Sequence, residues 1–140
     1  MLLNMVIAAL LMVINTAIHA SGMLLVVRVF LTKEARNDTH RQRMQLYSVA
    51  GVVLLMFLVS IVEVLAWSVT YLWLGAIEGF EKATYFSMVT FTTLGYGEIV
   101  LGEQWRLLAS FEAANGIIMF GWTTAIVLAV VQRVYFSEKS

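Results

Sequence analysis

The sequence predicts an all-α membrane protein, with three helices that cross the bilayer and a short re-entrant helix between the second and the third. Three observations carry this expectation. Of 140 residues, 61% are hydrophobic and 13% are charged, whereas a soluble domain carries about 25% charged residues. Long apolar runs hold almost none of those charges, and polar stretches separate the runs. One apolar-amphipathic piece is too short to cross a bilayer. Nine basic residues balance nine acidic ones, which argues against a nucleic-acid binder with a basic face. The chain has no cysteine, so it builds no disulfide framework, thiolate metal site or cysteine nucleophile. It has no proline either, so any helix bend must come from glycine or from side chains.

The first span, residues 2–31, has Arg28 as its only charge. As a helix it would be about 45 Å long, more than the roughly 30 Å hydrocarbon core, and tilt or protrusion would absorb the excess. A cleaved signal peptide would have a basic leading region and a shorter apolar run. Residues 32–45, TKEARNDTHRQRMQ, are polar and read as a loop. The second span, residues 46–74, has Glu63 as its only charge. Residues 80–92 can only form a re-entrant or buried helix, and a glycine-containing stretch follows. The third span, residues 105–131, carries Arg106 near its start and Glu112 inside.

Orientation follows from the basic residues. Arg28, Lys33, Arg36, Arg41, Arg43, Arg133 and Lys139 fall on one side, against Lys82 and Arg106 on the other. The side richer in Lys and Arg is the cytoplasmic one. The 32–45 loop and the C-terminus are therefore expected inside, and the N-terminus and residues 75–104 outside.

Residues 90–98 read TFTTLGYGE. The string Thr93-Leu94-Gly95-Tyr96-Gly97 resembles the selectivity filter of potassium channels, whose usual form is T-V-G-Y-G followed by an acid. Leu94 stands in place of valine and Glu98 in place of aspartate. The resemblance runs from Tyr85 through the third span to about Gln132, so residues 46–132 resemble a pore domain to which the first span is additional. It implies an outer helix over 46–74, a pore helix over 80–92, a filter over 93–97 and an inner helix over 105–131. Four such subunits would surround one axis.

The chemistry of the motif has its own rationale. A potassium ion must exchange its water shell for protein oxygens at little net cost. Successive backbone carbonyls can supply them if they point the same way, which an ordinary strand does not allow. Gly95 and Gly97 can adopt the left-handed dihedrals required. The K+ ligands would be Thr93, Leu94, Gly95 and Tyr96, with the Thr93 hydroxyl adding an inner ring of oxygens. The C-terminal end of the preceding helix favours a cation nearby. One chain supplies only one wall, so the ring needs several copies.

By the resemblance, Tyr85 and Phe86 pack around the filter, Tyr85 is placed to hydrogen-bond Glu98, and Thr92 and Glu98 support the filter at its two ends. Ordinary helix packing is the alternative for the aromatic pair. Some relatives carry an acid four positions before the filter threonine; here that place is Val89. Glu78, Glu81, Glu98 and Glu103 make the outer surface acidic, which concentrates cations within a Debye length and also suits a solvated rim. Gly116 aligns with the inner-helix hinge of the family, and Gly121 follows; close packing through small residues is the alternative. Ile117, Phe120, Thr124 and Leu128 form one stripe, assigned to the water-filled cavity and inner pore. Glu112 and Asn115 face away from that stripe. Glu63, Glu112, Asn115 and His19 are grouped as one candidate proton-linked network inside the membrane, a static bridge of protonated carboxyls being the alternative.

No span carries basic residues at every third position, so no voltage sensor is expected. Nine residues after Val131 leave no room for a ligand-binding domain. There is no Walker or GxSxG motif, and neither His19 nor His40 has a zinc-ligand partner at suitable spacing. The expectation is a homotetrameric potassium channel of the plasma membrane that passes monovalent cations passively, is not an enzyme and uses no cofactor beyond the permeant ion. The alternatives are a weakly selective cation pore, or a nonconducting accessory or scaffold subunit with a pore-like fold.

Overall fold

The computed structural model describes residues 2–31 and 41–136, with side chains over 2–29 and 47–133. Among the described residues the regular elements are all helices: α1 (Leu2–Val26), a π-helical continuation over Val27–Leu31, α2 (Arg41–Trp73), the short α3 (Phe80–Phe91) and α4 (Arg106–Phe136). Three stretches are long and apolar enough to cross a membrane: Leu2–Val29, Tyr47–Trp73 and Arg106–Arg133.

The limits differ from expectation at several helix ends. The first span leaves regular α geometry after Val26, and α2 begins at Arg41, inside the stretch expected to be a loop. The pore helix stops at Phe91, with Thr92 as its C-cap, and α4 continues to Phe136. Apolar content marks where a helix enters lipid; it does not mark where a polar helix end stops outside it. Residues 32–40, with Lys33 and Arg36, and residues 137–140, with Lys139, lie outside the described residues, as do the side chains of Arg41 and Arg43.

The α1 side chains that are buried are Asn4, Ala8, Leu11, Asn15, His19, Gly22 and Val26. Their spacing alternates threes and fours, which is one face of a helix. That face contains Asn4, Asn15 and His19, because in lipid strongly polar side chains must turn inward. The exposed Thr16 and Ser21 donate back to the Met12 and Ala17 carbonyls of their own helix. Leu3, Leu10, Val13 and Leu24 on the other face are exposed to the apolar solvent.

α1 packs on both α2 and α4 of its own chain. The pairings His19–Glu63 and Gly22–Val59 make α1 antiparallel to α2. Asn4 donating to the Gln104 carbonyl and His19 beside Thr123 make α1 parallel to α4. α2 ends at Trp73, and Gly75 just beyond it, with a positive φ of 63°, closes the helix: its N–H donates to Leu72 O and that of Ala76 to Tyr71 O, a closure that glycine permits without strain. Two apolar clusters result. The larger joins Leu11, Trp67, Tyr71, Phe86, Phe91, Leu108 and Met119, among others; the smaller joins Val26, Val52, Met56, Ile126 and Val130. By sequence position on α1, α2 and α4, the His19–Glu63–Thr123 contacts lie between the two.

Candidate functional site

Residues 92–98 follow α3 directly and are exposed along their whole length in the single chain. Their backbone alternates. Thr93 (φ 60°), Gly95 (φ 57°) and Gly97 (φ 88°) have positive φ, and Thr93 is the one non-glycine residue among those described that does so. The N–H groups at the start of this segment turn back onto α3: Thr93 N donates to Thr90 O (2.9 Å), Leu94 N to Val89 O (2.9 Å) and Gly95 N to the same Val89 O (3.2 Å). Among the main-chain hydrogen bonds of the described residues, the carbonyls of 93–97 accept none. At 93–95 the donors are thus tied to the helix while the acceptors remain open, an arrangement fit for a cation rather than an anion. The left-handed Thr93 was not foreseen. A β-branched residue there costs of order 1–3 kcal/mol, and the sequence carries no signal of it beyond the motif itself.

Beside residues 93–97, the Tyr85 hydroxyl donates to Glu98 Oε1. That bond, more than the slight desolvation, pushes the Tyr85 hydroxyl above its usual range, so it remains a donor. Thr92 Oγ1 donates to Met88 O at 2.7 Å, capping α3. Phe86 is buried and meets Tyr71 edge-on, ring centroids 5.2 Å apart. A recess lies behind the filter, lined by residues that include Tyr85, Val89, Gly95, Gly97, Leu101 and Arg106.

The inner-helix residues divide into two faces. Ile117, Phe120, Thr124 and Leu128 are exposed, as is Gly121, so the stripe assigned to the cavity lies on the open side of the subunit. Glu112, Asn115 and Gly116 are buried on the opposite side. Helix α4 is regular through Gly116, and a Cβ there would stand 1.9 Å from the Phe91 carbonyl oxygen. Gly121 has no such neighbour within 4 Å.

The grouping of Glu63, Glu112, Asn115 and His19 as one network is corrected by the structure, which holds two separate clusters. In one, His19 Nδ1 pairs with Glu63 Oε1 at 2.9 Å, His19 Nε2 faces Thr123 Oγ1 at 3.3 Å, and the imidazole lies against Trp122 with centroids 5.0 Å apart. In the other, Tyr71 donates to Glu112 Oε2 at 2.6 Å, and Ser87 Oγ contacts Glu112 Oε1. The physical reason is register. Glu112 takes its α2 hydroxyl from Tyr71, eight residues and about 12 Å along the axis from Glu63, and the second cluster comes nearest Glu63 only through Ser87 at the Val64 carbonyl. Asn115 joins neither; its amide has no hydrogen-bond partner among the described residues. Sequence reading missed Tyr71, Ser87 and Thr123 because a hydroxyl in an apolar span gives no charge signal.

Compared with known proteins, residues 57–133 match the model of a family described as ion channel. No curated protein and no solved structure matches the chain.

Proposed function

The chain belongs to the ion channel family, and on that premise we propose that it is a potassium-selective channel, conducting K+ passively through a pore shared by four copies. One observation carries the reading: the alternation of positive φ at Thr93, Gly95 and Gly97 within the string TLGYG. Left-handed dihedrals at every second residue turn successive carbonyls toward one side, the arrangement that replaces a hydration shell. The open carbonyls of 93–97 and the α3 C-terminus beside them support a cation as the ligand. K+ is coordinated by Thr93, Leu94, Gly95 and Tyr96 of each subunit. The exposed stripe of α4 lines the path below, and Gly116 or Gly121 is where that helix would bend. The chain is a multi-pass protein of the plasma membrane with its N-terminus outside and its C-terminus in the cytoplasm, on the basic-residue asymmetry.

The test is the reversal potential of the purified, reconstituted chain under opposed K+ and Na+ gradients, with Gly95→Ala beside it. The wild type is expected to reverse near the K+ equilibrium potential. Gly95→Ala places a Cβ on a left-handed residue, at roughly 1 kcal/mol or more per subunit, and is expected to lose selectivity. An unchanged reversal potential in a folded, tetrameric Gly95→Ala would refute the filter assignment. Reversal midway between the two ions in the wild type would mark a weakly selective pore, and no flux would mark an accessory subunit.

A further inference from the structure

The last turn of the pore helix is seated on α4 at two points. Ser87 touches Glu112 and Phe91 lies against Gly116. Both pairs have the same offset of 25 residues, so α3 and α4 run side by side here with one turn between the contacts. The filter begins two residues after Phe91. Whatever holds Ser87 on Glu112 therefore holds the base of the filter.

The hydrogens of this contact can be counted. Ser87 Oγ carries one hydrogen and stands 2.9 Å from the main-chain carbonyl oxygen of Val64 on α2 as well as beside Glu112 Oε1. A carbonyl cannot donate, so the serine hydrogen goes to Val64 O. One serine hydrogen cannot serve both acceptors, and a protonated Glu112 satisfies both contacts by donating its own hydrogen to Ser87. Tyr71 donates to the other carboxyl oxygen. The result is one unbroken chain: Tyr71 O–H to Glu112, Glu112 O–H to Ser87, Ser87 O–H to Val64 O. Charge points the same way. Glu112 is fully buried, and an unpaired buried charge is costly. The titratable group facing it from α2 is Tyr71, which is neutral when it donates; α3 faces it with Ser87. The other ionisable pair near by is His19 with Glu63; Glu63 precedes Val64 on α2, and its carboxyl pairs with His19, not with Glu112 or Ser87.

We infer that Glu112, in its protonated form, is the positioning residue of the pore helix, and that losing its proton releases α3 from Val64 of α2, shifts the base of the filter and closes it to conduction. An ionised Glu112 must take the hydrogen of Ser87, which then releases Val64, and α3 is no longer tied to α2 at this point. The inference rests on the channel reading above.

The experiment uses the full chain in bilayers as wild type, Glu112→Gln, Glu112→Leu and Ser87→Ala, recording steady-state open probability from neutral to alkaline pH. In parallel, amide exchange of residues 80–91 is compared between the proteins at one alkaline pH. Glu112→Gln pairs a donating NH2 with an accepting oxygen, so it can donate to Ser87 and accept from Tyr71 as the neutral acid does. It is expected to keep wild-type activity at neutral pH and to hold it where the wild type declines. Ser87→Ala and Glu112→Leu are expected to lower open probability roughly tenfold at neutral pH, the loss of one buried hydrogen bond, and to exchange faster over α3. Should Glu112→Leu fail to assemble, Ser87→Ala carries the test. Wild-type behaviour of Ser87→Ala in both measurements, or a Glu112→Gln protein that behaves as Glu112→Leu, overturns the inference and leaves the channel reading standing. Absence of K+ current in every protein, with the expected order in exchange, removes the channel reading and keeps the seat.

Discussion

The carbonyl oxygen of Phe91 occupies the place where residue 116 would carry a side chain, 1.9 Å from the position of a Cβ on Gly116. The neighbour is backbone at the end of a helix, so it cannot swing aside as a flexible side chain would. Gly116→Ala is therefore expected to destabilise the assembled protein by about 1–3 kcal/mol through overpacking, more than the gain of up to about 1 kcal/mol in helix propensity. Gly121→Ala meets nothing within 4 Å and is expected to be neutral or stabilising. Thermal unfolding of the two variants in detergent checks the contrast; equal melting temperatures would remove the packing role of Gly116.

The pair of His19 and Glu63 is expected to behave as a unit. His19→Leu leaves both oxygens of a fully buried carboxyl without a partner, since Glu63 Oε2 has none among the described residues already. The cost is about 1–3 kcal/mol. Replacing both residues by leucine removes the stranded group as well and is expected to recover most of that loss. A double-mutant cycle on melting temperature measures the coupling, and strictly additive losses would show that the two side chains act independently.

At the outer mouth, the Tyr85 hydroxyl must keep its hydrogen to donate to Glu98. Its pKa is raised in the folded protein, so the contribution of the bond is fully present at neutral pH and is lost only as pH rises beyond the ordinary phenol value of 10.0. The ratio of K+ to Na+ permeability is expected to hold up to that range in the wild type and to fall at neutral pH in Tyr85→Phe. Reversal potentials measured at several pH values decide this; a Tyr85→Phe protein with wild-type selectivity would reduce the bond to packing.

Orientation is open to chemical labelling. The chain has no cysteine, so single cysteines introduced at residue 2 and at residue 38 give no background. An impermeant thiol reagent applied to intact cells is expected to label residue 2 and to spare residue 38. The opposite pattern would reverse the topology and place the filter mouth on the cytoplasmic side.

The sequence made much of the architecture legible because lipid imposes a simple rule. Apolar runs became α1, α2 and α4, and the amphipathic 80–92 piece became α3, one residue shorter at its end. Rotation was legible too: the turn of Glu112 and Asn115 away from Ile117 and Phe120 follows from 100° per residue. Partner choice was not. Whether Glu112 meets Glu63 or Tyr71 depends on how far one helix slides along another, and no single-helix periodicity encodes that. Gly116 read equally well as a bend or as a contact, because a glycine announces missing volume without saying what fills it.

His19 meets Glu63 and Thr123 of its own chain, whereas a ring of filter carbonyls would be shared by four. The proposed assembly therefore separates two kinds of inheritance. When altered and normal copies are made together, a fault in the shared ring would poison every mixed assembly, so that a minority of altered chains silences most of the current. A fault at His19, which touches only helices of its own chain, would stay in its own quarter, and the deficit would grow step by step with the number of altered copies.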